Sequence, residues 1–265
     1  MHPSPNSVSF YVVAHADDWQ LFMFPEVFED MTSPETKTVI LVITAGDAGK
    51  EEVYWKSREE GCKSSVELCR PVSPETNLWL KKKSFSGREI AAWNLPGFSC
   101  YFLRLPDGNL DGNGFESNWH ESLQKLLENK IETIQTKDGQ TFNKAELIRL
   151  LEEIILYESG NSVEGRMNYP NPDLVKNFDD HSDHIAAGLL MDSCKIPETL
   201  KRRLFTGYSC HLSAPLLPAE KIFWKSALFA AYQTTVFNIS GYDTLREGVS
   251  IYREWCVRSS ISVSK

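Results

Sequence analysis

The stretch Phe10-Tyr11-Val12-Val13-Ala14-His15-Ala16-Asp17-Asp18 decides the fold class of this chain. Residues 9–14 are short, β-branched and aromatic, the pattern of a strand buried on both faces, and they run directly into a polar cluster. Outward from it, residues 19–31 carry apolar positions at roughly helical spacing, interrupted by Pro25. Thr38-Val39-Ile40-Leu41-Val42-Ile43 is a second fully buried run, followed by the glycine-bearing loop Thr44-Ala45-Gly46-Asp47-Ala48-Gly49 and a helical pattern from Tyr54 to Cys69. Strand, helix, strand, loop, helix predicts an α/β fold: a Rossmann-like, mostly parallel sheet with helices on both faces.

The remainder is less regular. Residues 88–93 and 99–105 read as strands around the Leu95-Pro96-Gly97 turn, and 130–136 with 141–142 as a short strand and turn. Asn143 and Glu146 form a capping pair for a helix over 144–153. Ile154-Ile155-Leu156-Tyr157 reads as another buried strand, and 158–180 as a long irregular loop of the kind that is usually functional. One more strand is expected at 204–209, with helices near 219–235 and 242–257. No repeat, low-complexity tract or composition break divides the chain, so residues 1–265 are expected to form a single domain.

Composition excludes several classes of partner. The net charge of −8 argues against a nucleic-acid backbone or an anionic membrane, and Lys81-Lys82-Lys83 reads as a solvated loop. The polar start, residues 1–6, lacks the basic and apolar regions of a secretory signal, and no window approaches the roughly 18 apolar residues of a membrane span. Cysteines 62, 69, 100, 194, 210 and 256 contain no C-x-x-C pair, which predicts reduced thiols in a cytoplasmic protein. The oligomeric state stays open, a homo-oligomer included.

Two clusters carry chemistry. His15, Asp17 and Asp18 follow the first strand, where loops beyond strand C-termini face the ligand crevice of a parallel sheet. Imidazole nitrogen and carboxylate oxygen suit a divalent cation such as Zn²⁺. Asp179-Asp180-His181-Ser182-Asp183-His184 precedes a helical pattern over 185–193; with the helix starting near Ser182, His181 and His184 project towards one site. His184 would complete a His-Asp-His triad, with Asp183 or Asp180 orienting a histidine. Alone, Asp17-Asp18 reads equally as N-capping charge, and 179–184 as an exposed acidic turn. Together they gather three of the chain's six histidines at two strand-end positions, and coincidence becomes the weaker account. The spacing is not H-E-x-x-H, so a zincin-type peptidase is unsupported.

This pair of clusters resembles the signature of the PIG-L / LmbE-like zinc de-N-acetylases, which carry A-H-P-D-D near the N-terminus and H-x-D-H before a helix. Residues 44–49 are similar to the family's T-x-G-x-x-G loop, Arg58-Glu59-Glu60 to its R-x-x-E helix start, and Leu105-Pro106-Asp107-Gly108-Asn109-Leu110 to its P-D-G-x-L segment. The resemblance covers residues 8–195; the C-terminal seventy add nothing diagnostic.

The resemblance implies His15, Asp18 and His184 as metal ligands, Asp17 as general base and then acid, and His181 as oxyanion stabiliser. It further implies Arg58 and Asp107 as substrate contacts and Asp183 as support for a ligand. The cofactor implied is Zn²⁺, with another divalent metal such as Fe²⁺ as the variant. The reaction implied is removal of an N-acetyl group from an N-acetylglucosamine-type sugar or glycoconjugate, releasing acetate and a free amine. The alternatives are a metallo-hydrolase of another bond, such as a phosphoester, or a non-catalytic metal- or sugar-binding module; a second, non-ligating carboxylate at Asp17 argues against the latter. Two departures, Ala16 for the motif's proline and Trp19 for its acidic residue, lie beside the site. Trp19 and the 158–180 segment are therefore expected to shape the substrate pocket.

Overall fold

The computed structural model describes residues 6–70, 81–160 and 164–265. In chain order, β1 (Ser7–Val13) is followed by α1 (Asp18–Phe22), α2 (Glu26–Thr32), β2 (Thr36–Thr44) and α3 (Glu52–Cys69). Then come β3 (Lys81–Phe85), β4 (Arg88–Leu95), β5 (Phe98–Leu105), α4 (Leu123–Leu127), β6 (Thr133–Gln135), β7 (Thr141–Asn143) and α5 (Lys144–Ser159). β8 (Glu164–Pro170), α6 (Ser182–Ser193), β9 (Leu200–Phe205), α7 (Cys210–Ser213), α8 (Ala219–Ser240), α9 (Thr244–Glu247), α10 (Val249–Val257) and β10 (Ser262–Ser264) complete the chain.

The main sheet has eight strands in the order β10-β9-β8-β1-β2-β5-β4-β3. Its centre, β9 through β5, is parallel, and antiparallel strands close both edges. Strand alternation divides the core in two. Val8, Phe10 and Val12 face a layer that includes α4, α5 and α6. Tyr11 and Val13 face the layer that includes α1, α2, α3, α8 and α10. This is the mostly parallel α/β sheet with helices on both faces that the strand pattern predicts.

The chain runs outward from β1 through β2 to β5, then returns to place β8 on the other side of β1. The order of strands reverses between β1 and β8, and such a switch point opens a crevice beyond the strand C-termini.

Several local expectations are corrected. Residues 154–157 are not a strand but the last turns of α5. Leu147, Leu150, Leu151, Ile154 and Ile155 form one buried stripe at helical spacing, while Leu156 and Tyr157 are exposed. The Asn143–Glu146 capping box is present.

Part of the expected 158–180 loop is β8, the strand beside β1, although its residues 161–163 lie outside the described residues. β8 lacks the β-branched signature because its polar side chains find buried partners. Asn168 donates to the Phe10 carbonyl at 2.8 Å, and Arg166 pairs with Asp30. The tri-lysine run is not a solvated loop but the exposed edge strand β3, where charge discourages further strand pairing. The strand expected at 204–209 ends at Phe205, which frees 206–209 for the crevice.

Among the described residues no helix is long and apolar enough to cross a membrane, and all six cysteines are free. The polar start expected over residues 1–5 lies outside the described residues.

Candidate metal centre and active site

The loops after β1, β2, β5, β8 and β9 meet over the switch point. At the end of β1, the Ala14 carbonyl accepts both the backbone N–H of Thr44, at 2.9 Å, and its hydroxyl, at 3.0 Å. These bonds fix the start of the His15 loop against β2. The His15 N–H then donates to Asp18 Oδ2 at 2.7 Å, folding the loop back so that its side chains converge.

Asp18 Oδ1 lies 3.5 Å from His15 Nδ1 and 3.2 Å from His184 Nε2. The three residues are buried, at 4%, 5% and 1% exposure respectively, and their donor atoms fall within 4.8 Å of one another. Both imidazoles are held from behind. Asp183 Oδ2 is 3.3 Å from His15 Nε2, and Asp180 Oδ1 is 2.8 Å from His184 Nδ1. Each carboxylate favours the proton on the nitrogen it faces and leaves the lone pair of the other nitrogen directed inward. Asp183 is itself fixed by the Gly108 N–H at 3.0 Å, and Asp180 by the Tyr208 N–H at 3.1 Å.

The donor set fits a divalent cation. His184 Nε2 is buried without a hydrogen-bond partner, an arrangement that is costly unless something else engages that lone pair. Burial by itself would depress the imidazole of His15, but Asp18, with help from Asp183 and Asp107, outweighs it and raises the pKa to about 10. His184 is likewise raised well above its ordinary value against the effect of burial, by Asp18 and Asp180. The two histidines in turn hold Asp18 well below the carboxylate range despite its burial. The pocket thus draws in positive charge, as protons in the absence of a metal or as the cation that replaces them.

Asp17 stands apart from this cluster. It is the residue before α1, yet its side chain caps no backbone N–H, so the capping reading of Asp17-Asp18 fails for it. Instead Oδ1 pairs with Arg58 Nη2 at 2.6 Å. Arg58 also donates to the Gly46 carbonyl at 2.9 Å. Gly46 is required here twice over: its φ is +57°, and a Cβ would sit 3.0 Å from the guanidinium carbon and 3.1 Å from the His15 ring. The Arg58 guanidinium thus lies against Asp17.

His181 precedes α6 and accepts the Asp183 N–H on Nδ1 at 3.1 Å, which assigns the proton of the neutral ring to Nε2. Nε2 lies 3.6 Å from Asp107 Oδ1. Burial, then the neighbouring His15, lowers the His181 pKa to about 4, so the ring is neutral near pH 7. Asp107 is locked by the Asn109 N–H at 2.8 Å and the Ala48 N–H at 3.2 Å, and its own N–H donates to Asp47 at 2.9 Å.

These groups open into a cavity of about 240 Å³ whose wall includes His15, Asp17, Asp18, Arg58, Asp107 and His181. Two expectations fail here. Trp19 is fully buried, donating to Cys62 Sγ at 3.4 Å, and does not line the cavity. The described residues of 158–180 do not line it either. Much of the rest of the lining comes from the C-terminal part, which the sequence left without a role. Tyr208, Tyr232, Tyr252 and Trp255 face the site, and the Tyr208 and Trp255 rings stack at 4.8 Å. Aromatic residues three apart, at 229/232 and 252/255, were the available signal, but core packing gives the same pattern. Asp47 was also missed. It is buried without exposure and bonds Asp107, Asn118 and Lys137.

Sheet order, helix layers and a crevice at the strand reversal define the class: an α/β fold built on a mostly parallel sheet with helices on both faces. Among solved structures, the N,N'-diacetylchitobiose deacetylase from Pyrococcus horikoshii is similar, with a TM-score of 0.51 at 13% identity over 98% of this chain and 84% of that one. A deacetylase in the biosynthesis pathway of teicoplanin is similar at a TM-score of 0.50 and 8% identity, over 98% of both chains. At these identities the likeness establishes the fold. No family model and no curated protein matches the chain.

Proposed function

We propose that this protein is a metal-dependent amide hydrolase that removes the acetyl group from an N-acetylated amino sugar. The observation that carries the reading is the division of labour between adjacent carboxylates. Asp18 lies between His15 and His184, while Asp17 faces the cavity beside them, paired with Arg58. The shared fold with two deacetylases supports the same class of reaction.

In this reading His15, Asp18 and His184 hold one divalent cation, proposed to be Zn²⁺, which supplies Lewis acidity and a water of lowered pKa when bound. Asp180 and Asp183 keep the two imidazoles in the tautomers that ligation needs. Asp17 takes a proton from the attacking water and returns it to the amide nitrogen as the C–N bond breaks, so water and amide become acetate and amine. The Arg58 contact keeps the carboxylate aimed at the cavity. His181, neutral and carrying its proton on Nε2, donates to the carbonyl oxygen as charge develops there. Asp107 stands next to that N–H and is fixed in place by three backbone bonds. It is proposed to position both His181 and a sugar hydroxyl.

The test is acetate release from N-acetylglucosamine glycosides by protein loaded with one equivalent of Zn²⁺. Stoichiometric metal without any acetate from such glycosides would leave the reading untenable.

A further inference from the structure

Resting on that reading, we infer that the C-terminal helices and the segment after β9 form a recognition wall for a neutral, single-ring acetamido sugar, with the hydroxyls of Tyr208, Tyr232 and Tyr252 bonding the ring's oxygens. α8 and α10 pack against the layer that carries α3, and Tyr232, Tyr252 and Trp255 line the cavity together with Tyr208, whose ring lies 5.1 Å from that of His184. The approach of α8 is close because α3 has Gly61 at the crossing. A Cβ there would sit 2.8 Å from the Tyr232 ring and 2.9 Å from its backbone oxygen.

Tyr232 is only 1% exposed and lines the cavity. Among the described residues, none of the three tyrosine hydroxyls has a hydrogen-bond partner, although a tyrosine as buried as Tyr232 ordinarily finds one. Trp255 turns its indole N–H away, to the Tyr208 carbonyl at 3.0 Å, and so offers the cavity an apolar ring. Aromatic faces with unpaired hydroxyls at their edges suit a sugar, which presents apolar C–H faces and equatorial hydroxyls.

Charge and size narrow the class. Asp17, Asp18 and Asp107 line the cavity, and Arg58 is the one guanidinium or ammonium group among its described lining residues. Arg58 is already engaged by Asp17 and the Gly46 carbonyl. One bound divalent cation with Arg58 balances the three carboxylates, and no cation remains to receive a phosphate or carboxylate on the substrate. A volume of about 240 Å³ lies below the range of roughly 300–1,000 Å³ typical for larger ligands, so one ring fits and a second projects outward.

The test measures binding by ligand-observed saturation-transfer NMR on zinc-loaded protein, with metal content assayed in each sample. The probes are methyl N-acetyl-β-glucosaminide, its 6-phosphate and N,N'-diacetylchitobiose. The neutral monosaccharide should bind, the phosphate at least about tenfold more weakly, and the disaccharide within about threefold of the monosaccharide. Tyr232→Phe with Tyr252→Phe should weaken the neutral probe by about tenfold, as expected for two lost hydrogen bonds, with zinc content unchanged. Equal or tighter binding of the phosphate, a gain above tenfold from the second ring, unchanged affinity in the tyrosine variant, or no binding of the neutral probe would each overturn the inference. Binding as described without acetate release would instead sink the hydrolase reading and leave the sugar wall standing.

Discussion

The loop after β1 and the pair α8–α10 both line one cavity and are built in different ways. The loop, four residues long, runs with dense hydrogen bonding into the start of α1, and His15, Asp17 and Asp18 are each aimed by a named partner. The helical wall is made of packing: Tyr208 on Trp255, Tyr252 against Phe229, Tyr232 over Gly61. Chemistry demands particular residue types at fixed spacing, whereas the aromatic residues of the wall follow the same spacing as ordinary core packing. The two regions should therefore fail differently when altered.

The largest effect is expected at Asp17. Asp17→Asn keeps its shape and removes the base, so kcat should fall by roughly 10²–10⁴ with zinc content retained. Asp18→Asn should lose metal first, with activity partly recovered by added zinc. Near-normal turnover in Asp17→Asn, measured by acetate release, would mean that these adjacent carboxylates do not divide the work. Next come the carboxylates behind the ligands. Asp180→Asn or Asp183→Asn should cost about 10–100-fold in zinc affinity, read by competition with a chromogenic chelator. A loss confined to kcat at full metal occupancy would place these groups in the chemistry instead.

The metal-free pocket also predicts a pH dependence. His15, at about 10, enters the metal-free state protonated at neutral pH, and a ligand must shed its proton to bind the ion. Zinc affinity should therefore rise with pH below that value, by about tenfold per unit for each proton released. Calorimetry in buffers of different ionisation enthalpy counts the protons. Zinc binding at pH 7 without proton release would contradict the charge state drawn for the cluster.

The same contrast explains what could be read from the sequence. The βαβ grammar of residues 9–69 and the His-Asp clusters follow from local pattern, and the structure brings His15, Asp17, Asp18 and His181 to one cavity, with His184 beside His15 and Asp18. β8 escaped because Asn168 and Arg166 look like loop residues until Phe10 and Asp30 are placed beside them. Ile154–Tyr157 misled because four apolar residues in a row satisfy both periods when cut from the stripe that begins at Leu147. Trp19 drew attention by its position beside Asp18, but one step along a helix turns a side chain by about 100°, here into the core. The C-terminal wall depends on tertiary packing alone, so no local motif marks it.

The smallest expected effect on turnover tests whether the two regions are mechanically separable. Lys225 on α8 is fully buried, and its ammonium donates to the carbonyls of Leu21, Trp255 and Arg258 at 2.7, 2.8 and 2.8 Å. It thereby ties the wall to α1, the helix that begins at Asp18. Burial pushes its pKa down to about 8, so the ammonium persists at pH 7 with all three protons used. Lys225→Met removes three hydrogen bonds and the buried charge together. Each orphaned carbonyl costs about 1–3 kcal/mol, which outweighs the ~3 kcal/mol relieved by neutralising the ammonium, so the variant should be less stable at pH 7. A depressed lysine pKa means that the unfolded chain binds more protons between pH 8 and 10.5, so the wild-type contribution grows as pH rises through that window. The stability gap between wild type and variant, from denaturant unfolding, should widen over the same range. If the wall is a separate module, kcat/KM should fall only about two- to fivefold, through KM, with zinc content unchanged. A hundredfold fall in kcat would show that Lys225 also sets the geometry around Asp17 and Asp18, and that the recognition wall and the metal centre form one cooperative unit.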